Sequence, residues 1–174
     1  MPVNRSSLLL VTLLLVVLGL APGCARAPWR RAAPPVPGRA TVVRVVDGDT
    51  VVLRMGATEE HVRLIGIDTP ETVKPDTPVQ CYGPEASSHL KHVLPPGTIV
   101  RVARDAEARD HFGRLLLYLW RTSDGQFVNL EIAADGFGRP LSIAPNTAHR
   151  DDISAAVGQA EANGTGLWGA CPPA

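Results

Sequence analysis

A mainly β domain with helices packed on it, α+β in class, is what the sequence predicts. Three observations carry this. Five short stretches of β-forming residues are separated by tight turn signals, one helical pattern follows the third of them, and two more follow the fifth. Elements in that order do not alternate as βαβ units. They suit a five-stranded Greek-key barrel of the OB type with about three helices packed on it.

In chain order, residues 40–46 and 50–54 read as a strand pair joined by Asp47-Gly48-Asp49, and Met55-Gly56-Ala57 makes the next turn. Residues 59–67 are a third strand carrying Val62, Leu64, Ile65 and Ile67 around a single Gly66. Thr69-Pro70 ends it, because the residue before proline is pushed to extended geometry and Pro70 cannot continue a ladder. Residues 71–80, with Pro75 and Pro78, read as irregular. Gly83-Pro84-Glu85 opens a helix with proline at the first helical position; Ala86, Leu90, Val93 and Leu94 form its apolar face, and Pro95-Pro96-Gly97 ends it. A fourth strand spans 98–103 and a polar connection 104–113. Residues 114–121 contain the run Leu115-Leu116-Leu117-Tyr118-Leu119-Trp120, read as a strand buried on both faces. Residues 128–135 look helical and stop at Gly136; residues 151–163 form the last helix, with Ile153, Ala156, Val157 and Ala160 on one side.

The chain before residue 39 has a different character. Arg5 is followed by thirteen uncharged residues, 8–20, short of the roughly 20 that span a bilayer, so residues 1–24 read as a signal peptide; a transmembrane anchor is the alternative. Cys24 after Ala21-Pro22-Gly23 resembles the lipobox of bacterial lipoproteins, which gives a lipid anchor through Cys24; ordinary cleavage nearby is the other reading. Residues 25–38, with Pro28, Pro34, Pro35 and Pro37 among three arginines, read as an extended tether. The folded domain is then 39–174, extracytoplasmic, secreted or membrane-anchored, and expected to be a monomer.

Four of the 17 Lys and Arg (Arg5, Arg26, Arg30 and Arg31) precede residue 39, whereas all 17 Asp and Glu follow it. The domain is therefore slightly acidic, which excludes a global basic field that draws in a polyanion. Any nucleic acid must be held by local arginines and a metal. Beyond Cys24 only Cys81 and Cys171 remain, and an oxidising compartment favours a disulfide between them over free thiols.

Two acidic turns carry the chemistry. One is Asp47-Gly48-Asp49-Thr50; the other is Asp68-Thr69-Pro70-Glu71, at the end of the strand that bears Arg63. Taken singly, each has a plain structural reading: Asp-Gly as a hairpin turn, Asp68 as an Asx-type turn, Arg63 as a cross-sheet ion pair. Brought together, three or four carboxylates repel unless a cation sits among them, and a hard divalent ion is the usual solution. His111 reads as a solvated side chain. Gly164-Thr165-Gly166-Leu167-Trp168-Gly169 fits G-x-G-x-x-G, but it follows a helix with only five residues left after it, so it is not a dinucleotide loop.

The blocks Val46-Asp47-Gly48-Asp49-Thr50-Val51, Val62-Arg63-Leu64, Ile67-Asp68-Thr69-Pro70-Glu71, Tyr82-Gly83-Pro84-Glu85-Ala86, Phe112-Gly113-Arg114 and Gly166-Leu167-Trp168, in this order, closely resemble the staphylococcal nuclease family. The resemblance implies an OB-fold barrel that cleaves single- or double-stranded DNA and RNA with Ca2+ and leaves 3′-phosphate products. It implies Asp49, Asp68 and the Thr69 carbonyl as calcium ligands, and Arg63 and Arg114 as phosphate-binding arginines. Glu71 then stands as general base, Asp47 as a supporting acid, and Cys81–Cys171 as a bridge similar to that of other secreted members. The chain departs from the family pattern after Asp110, where Lys-Tyr becomes His111-Phe112, with loss of a permanent charge and a hydroxyl. The competing expectation is a non-catalytic nucleic-acid- or protein-binding OB-fold module tethered to the envelope, which has no need of Arg63, Glu71 and Arg114 beside two metal carboxylates.

Overall fold

The computed structural model describes residues 38–72 and 77–172; the expected signal peptide, most of the expected tether and Cys24 lie outside the described residues. Five strands close a barrel in the order β1-β2-β3-β6-β5. They are β1 (Arg39–Val45), β2 (Thr50–Met55), β3 (Thr58–Leu64), β5 (Ile99–Ala103) and β6 (Leu115–Arg121). All pairings are antiparallel except β3 with β6, which closes the barrel in parallel with Arg63 opposite Leu116. A mainly β, OB-type α+β barrel is thus what forms.

Alternation explains the inside. Val42, Val51, Leu53, Val62, Leu64, Val100, Val102, Leu117 and Leu119 are all buried, and every second residue of a strand faces the barrel core. β6 is buried on both faces, as its unbroken apolar run predicts, because Phe127 stacks on Trp120 (4.7 Å) and His149 packs edge-on to Tyr118 (4.5 Å) on the outer side. The helices α1 (Gly83–Val93), α2 (Val128–Ala134) and α3 (Arg150–Ala162) bring Leu90, Ile132, Ile153 and Val157 against this core.

The third predicted strand is corrected. It is not continuous: β3 stops at Leu64 and a separate strand β4 (Gly66–Asp68) leaves the barrel to pair with β7 (Arg139–Leu141), an element absent from the sequence reading. Gly66, at φ 92°, turns the chain into a conformation glycine adopts without strain, and a Cβ there would collide with Ile153 Cδ1. The break leaves the Ile65 carbonyl without a ladder partner. Asn129, fully buried on α2, donates to it from Nδ2 (2.8 Å), and its Oδ1 accepts from the Leu119 amide (3.0 Å). A short fourth helix, α4 (Leu167–Ala170), also goes beyond the three expected. Just after it Cys171 is joined to Cys81, which precedes α1, with a Cα–Cα distance of 5.9 Å.

Candidate active site

The first acidic turn folds on its own side chain: Asp47 Oδ1 accepts the Asp49 amide at 3.1 Å. Gly48 between them is a close approach. A Cβ there would lie 2.5 Å from Thr69 Oγ1 and 2.9 Å from Ala86 Cβ, so only glycine lets this turn settle onto the second one. The contact so permitted is direct. Asp49 Oδ2 accepts the amide (2.8 Å) and the hydroxyl (3.0 Å) of Thr69, and Oδ1 accepts the Thr50 hydroxyl (3.1 Å). Asp49 is 6% exposed, and these donors satisfy carboxylate oxygens that water does not reach freely.

Arg63 lies opposite Thr50 in the β2–β3 ladder, which places its guanidinium between the two turns. Nη1 donates to the carbonyls of Leu64 and Ile67, both at 2.8 Å; Nη2 reaches Asp68 Oδ1 at 2.9 Å and Asp49 Oδ2 at 3.1 Å. The two carbonyls flank the strand break at Gly66, so the break itself seats the arginine. The cation held between the carboxylates is therefore a guanidinium, and among the described residues no three His, Cys, Asp or Glu side chains gather as a ready-made metal cage.

Burial pushes the Asp47 carboxyl up to about 6, with the Asp49 charge adding to it. Asp68 is also raised, first by burial and then by Asp49 and Glu71, against the lowering effect of Arg63. Both shifts arise first from burial, with neighbouring carboxylates adding to them.

Arg114 enters from the other side, at the start of β6. Its Nη1 lies 3.4 Å from Thr50 Oγ1, the hydroxyl that donates to Asp49. Its Nε donates to Asp110 Oδ2 at 2.7 Å. Burial pushes Asp110 up, but the bonds from Arg114 outweigh it and hold this carboxyl below its ordinary value. Glu71 follows the second turn; its Oε1 accepts the Thr72 amide (2.9 Å), and its own amide donates to Gln80 Oε1 (2.9 Å).

Asp47, Asp49, Arg63, Asp68, Thr69, Glu71 and Arg114 all line one cleft of about 950 Å³. Phe112, Leu141 and Ile143, three of the exposed large apolar side chains, line it too. The floor thus offers oxygen donors and two guanidinium groups, and part of the lining offers apolar faces. The sequence reading passed over Thr50, which links Asp49 to Arg114, and over Asp110, whose spacing four residues before Arg114 was the available signal. It also passed over Asn146, which grips the Glu107 backbone at 2.7 and 3.1 Å and so ties the loop bearing Ile143 to the connection before β6.

Comparison with known proteins bears on the same residues. A family model described as Staphylococcal nuclease homologue matches residues 61–170. A thermonuclease of Staphylococcus intermedius is 40% identical over 142 residues, covering 81% of this chain and 83% of its own length. A thermonuclease of Staphylococcus hyicus is 39% identical over 127 residues, 73% of each chain. Endonuclease YncB of Bacillus subtilis (strain 168) is 32% identical over 129 residues, 74% of this chain and 60% of its own.

Proposed function

The chain belongs to the staphylococcal nuclease family, and from that premise we propose that it hydrolyses phosphodiester bonds of DNA and RNA outside the cytoplasm, with calcium as its cofactor and 3′-phosphate products. The observation that carries the reading is convergence: residues from four separate segments, Asp49, Arg63, Asp68 with Glu71, and Arg114, line a single cleft.

The donor set suits calcium. Asp49, Asp68 and the Thr69 carbonyl are all hard oxygen donors, and no nitrogen or sulfur ligand competes among them. Asp49, Asp68 and Thr69 would hold the ion, with water and a phosphate oxygen completing its shell. Bound there, it would supply Lewis-acid polarisation of the phosphate and lower the cost of forming a nucleophilic hydroxide.

The protein's own groups do the rest. Hydrolysis adds water to an anionic phosphorus and builds charge on the equatorial oxygens, so catalysis is mostly charge stabilisation and placement. Arginine stays protonated and offers a planar fork to two oxygens; Arg63 and Arg114 approach from β3 and β6 and would hold the phosphate from two sides. Glu71 orients the attacking water and accepts its proton at a carboxylate oxygen. Phe112, Leu141 and Ile143 give the bases apolar faces to rest on, which a polar floor alone does not. The signal-like residues 1–24, with Cys24 as the lipidated residue, and the tether 25–38 would deliver the domain to the envelope or beyond it.

The test is cleavage of single-stranded DNA, plasmid DNA and RNA by the purified protein with calcium and then with excess chelator, followed by end-group analysis. Cleavage in calcium alone, leaving 3′-phosphate ends, is expected. Binding without cleavage would favour the module that only binds.

A further inference from the structure

We propose that Asp110 is the positioning residue that sets how Arg114 presents its guanidinium to the cleft; this rests on the nuclease reading above. One carboxylate governs the whole turn. Asp110 Oδ1 accepts the amides of Phe112 (3.0 Å) and Arg114 (2.9 Å), and Oδ2 accepts Arg114 Nε (2.7 Å). The backbone closes the same loop, with the Asp110 amide on the Arg114 carbonyl (3.0 Å) and the Gly113 amide on the Asp110 carbonyl (2.9 Å), and Gly113 takes φ 81°. The turn is also bolted to the barrel. Arg109 holds Glu60 of β3 with both Nη atoms, each at 3.0 Å, and donates to the Gly113 carbonyl at 2.7 Å.

This arrangement decides what Arg114 can do. With Nε taken, the plane of the guanidinium is fixed and only the Nη edge is left for a ligand in the cleft; Nη1 points toward Thr50 Oγ1 and Cζ lies 5.4 Å from the Phe112 ring centre. Arg63 is seated differently, by the backbone carbonyls of Leu64 and Ile67. Arg63 thus keeps two main-chain anchors whichever of its carboxylate partners, Asp49 or Asp68, is changed, whereas the only short bond on Arg114, at Nε, comes from one side chain, which makes Arg114 the one whose direction a point substitution can release. A carboxylate on Nε also offsets part of the charge of Arg114. Its removal costs direction and not attraction, so turnover falls without weaker substrate binding.

Asp110→Asn keeps the shape and the Oδ1 acceptor for both amides, and replaces the charge-assisted partner of Nε. kcat and KM on a single-stranded oligodeoxynucleotide in calcium are compared for wild type, Asp110→Asn, Arg114→Ala and the double variant. Arg114 Nε–Hε is followed by 1H–15N spectra, with Arg114→Lys assigning the resonance. The expected result is a kcat at least about tenfold lower in Asp110→Asn, by misplacement of a catalytic group, with KM unchanged or lower. The same change should cost less than about twofold in the Arg114→Ala background, since the two act as a unit. The Nε–Hε resonance should shift or be lost to solvent exchange. A kcat within about twofold of wild type, an equal loss in both backgrounds, or an unmoved resonance would overturn the proposal. If wild type cleaves nothing, the nuclease reading fails separately, and the resonance alone still decides whether Asp110 holds Arg114. Asp110→Ser, which retains an acceptor for the turn, replaces Asp110→Asn with the same expectations if the latter does not fold.

Discussion

One carboxylate oxygen of Asp49 accepts both the amide and the hydroxyl of Thr69, at 2.8 and 3.0 Å, across twenty residues of sequence. The two acidic turns are thereby one structural unit before any ligand is considered. Thr69→Val keeps the shape and the amide bond and deletes the hydroxyl. A hydrogen bond to a buried charge contributes about 1.5–3 kcal/mol, so the urea midpoint should fall by that equivalent and calcium affinity should fall with it. A variant as stable as wild type would mean that the hydroxyl bond is dispensable.

Arg63 donates hydrogen bonds to three acceptors and pairs with a fourth, Asp49, from its two Nη atoms, a pattern that a lysine ammonium cannot reproduce in one plane. Arg63→Lys should therefore lose nearly as much turnover as Arg63→Ala, on the order of 10²–10³ as for removal of an oxyanion donor. Steady-state kinetics on both variants checks this. Lysine restoring most of the activity would show that charge matters here and the fork does not.

Asn129 joins α2 to the strand break at Ile65 O and to β6 at the Leu119 amide. Asn129→Ala orphans a buried carbonyl and a buried amide, with an expected loss of about 2–6 kcal/mol at 1–3 for each orphaned group. Because the break seats Arg63 and begins the strand ending at Asp68, calcium affinity should weaken in the folded variant as well. Chemical denaturation and calorimetry measure the two effects separately.

His149 is buried among Tyr118, Trp120 and Phe127, with Nε2 lacking a hydrogen-bond partner among the described residues and Nδ1 3.8 Å from Asp152. Burial pushes its pKa down, against the opposing charges of Asp152 and Asp105. A histidine with a folded pKa below the unfolded value is stabilising in its neutral form. That contribution is fully present above about pH 6.5, the ordinary histidine value, and is lost as pH falls through that value toward the folded pKa. His89, lowered chiefly by burial, adds a contribution of the same sign. The raised carboxyls of Asp47 and Asp68 act in the opposite sense over the same range, so the reading is a difference: between pH 7.5 and 5, wild type should lose more stability to urea, or gain less, than His149→Phe, which fills the aromatic site without titrating. An unchanged pH slope in that variant would remove His149 as a source.

Much of this was legible in the sequence because it is written in period and punctuation. Alternation in β1, β2 and β5, the unbroken run of β6, Pro84 at the start of α1 and Gly136 after α2 each have a local physical meaning, and the barrel follows from their order. The split at Gly66 was not legible. A glycine within an apolar strand pattern signals either a bulge or a break, and the choice is made by Ile153 and Asn129, distant in sequence. The motif blocks identified the residues of the cleft but not what lies between them. That Arg63 bridges Asp49 and Asp68, that Thr50 relays between Asp49 and Arg114, and that Asp110 orients Arg114 are matters of side-chain direction, which spacing does not encode.

The most direct test of the central claim couples two readings on one variant. Asp68→Asn is compared with wild type for heat of calcium binding and for cleavage of single-stranded DNA. The account predicts that both fall together, by at least about tenfold, the loss that even a supporting group of a metal site costs, while the urea midpoint moves little. Cleavage that persists after calcium binding is lost, or calcium bound as tightly as before, would contradict it.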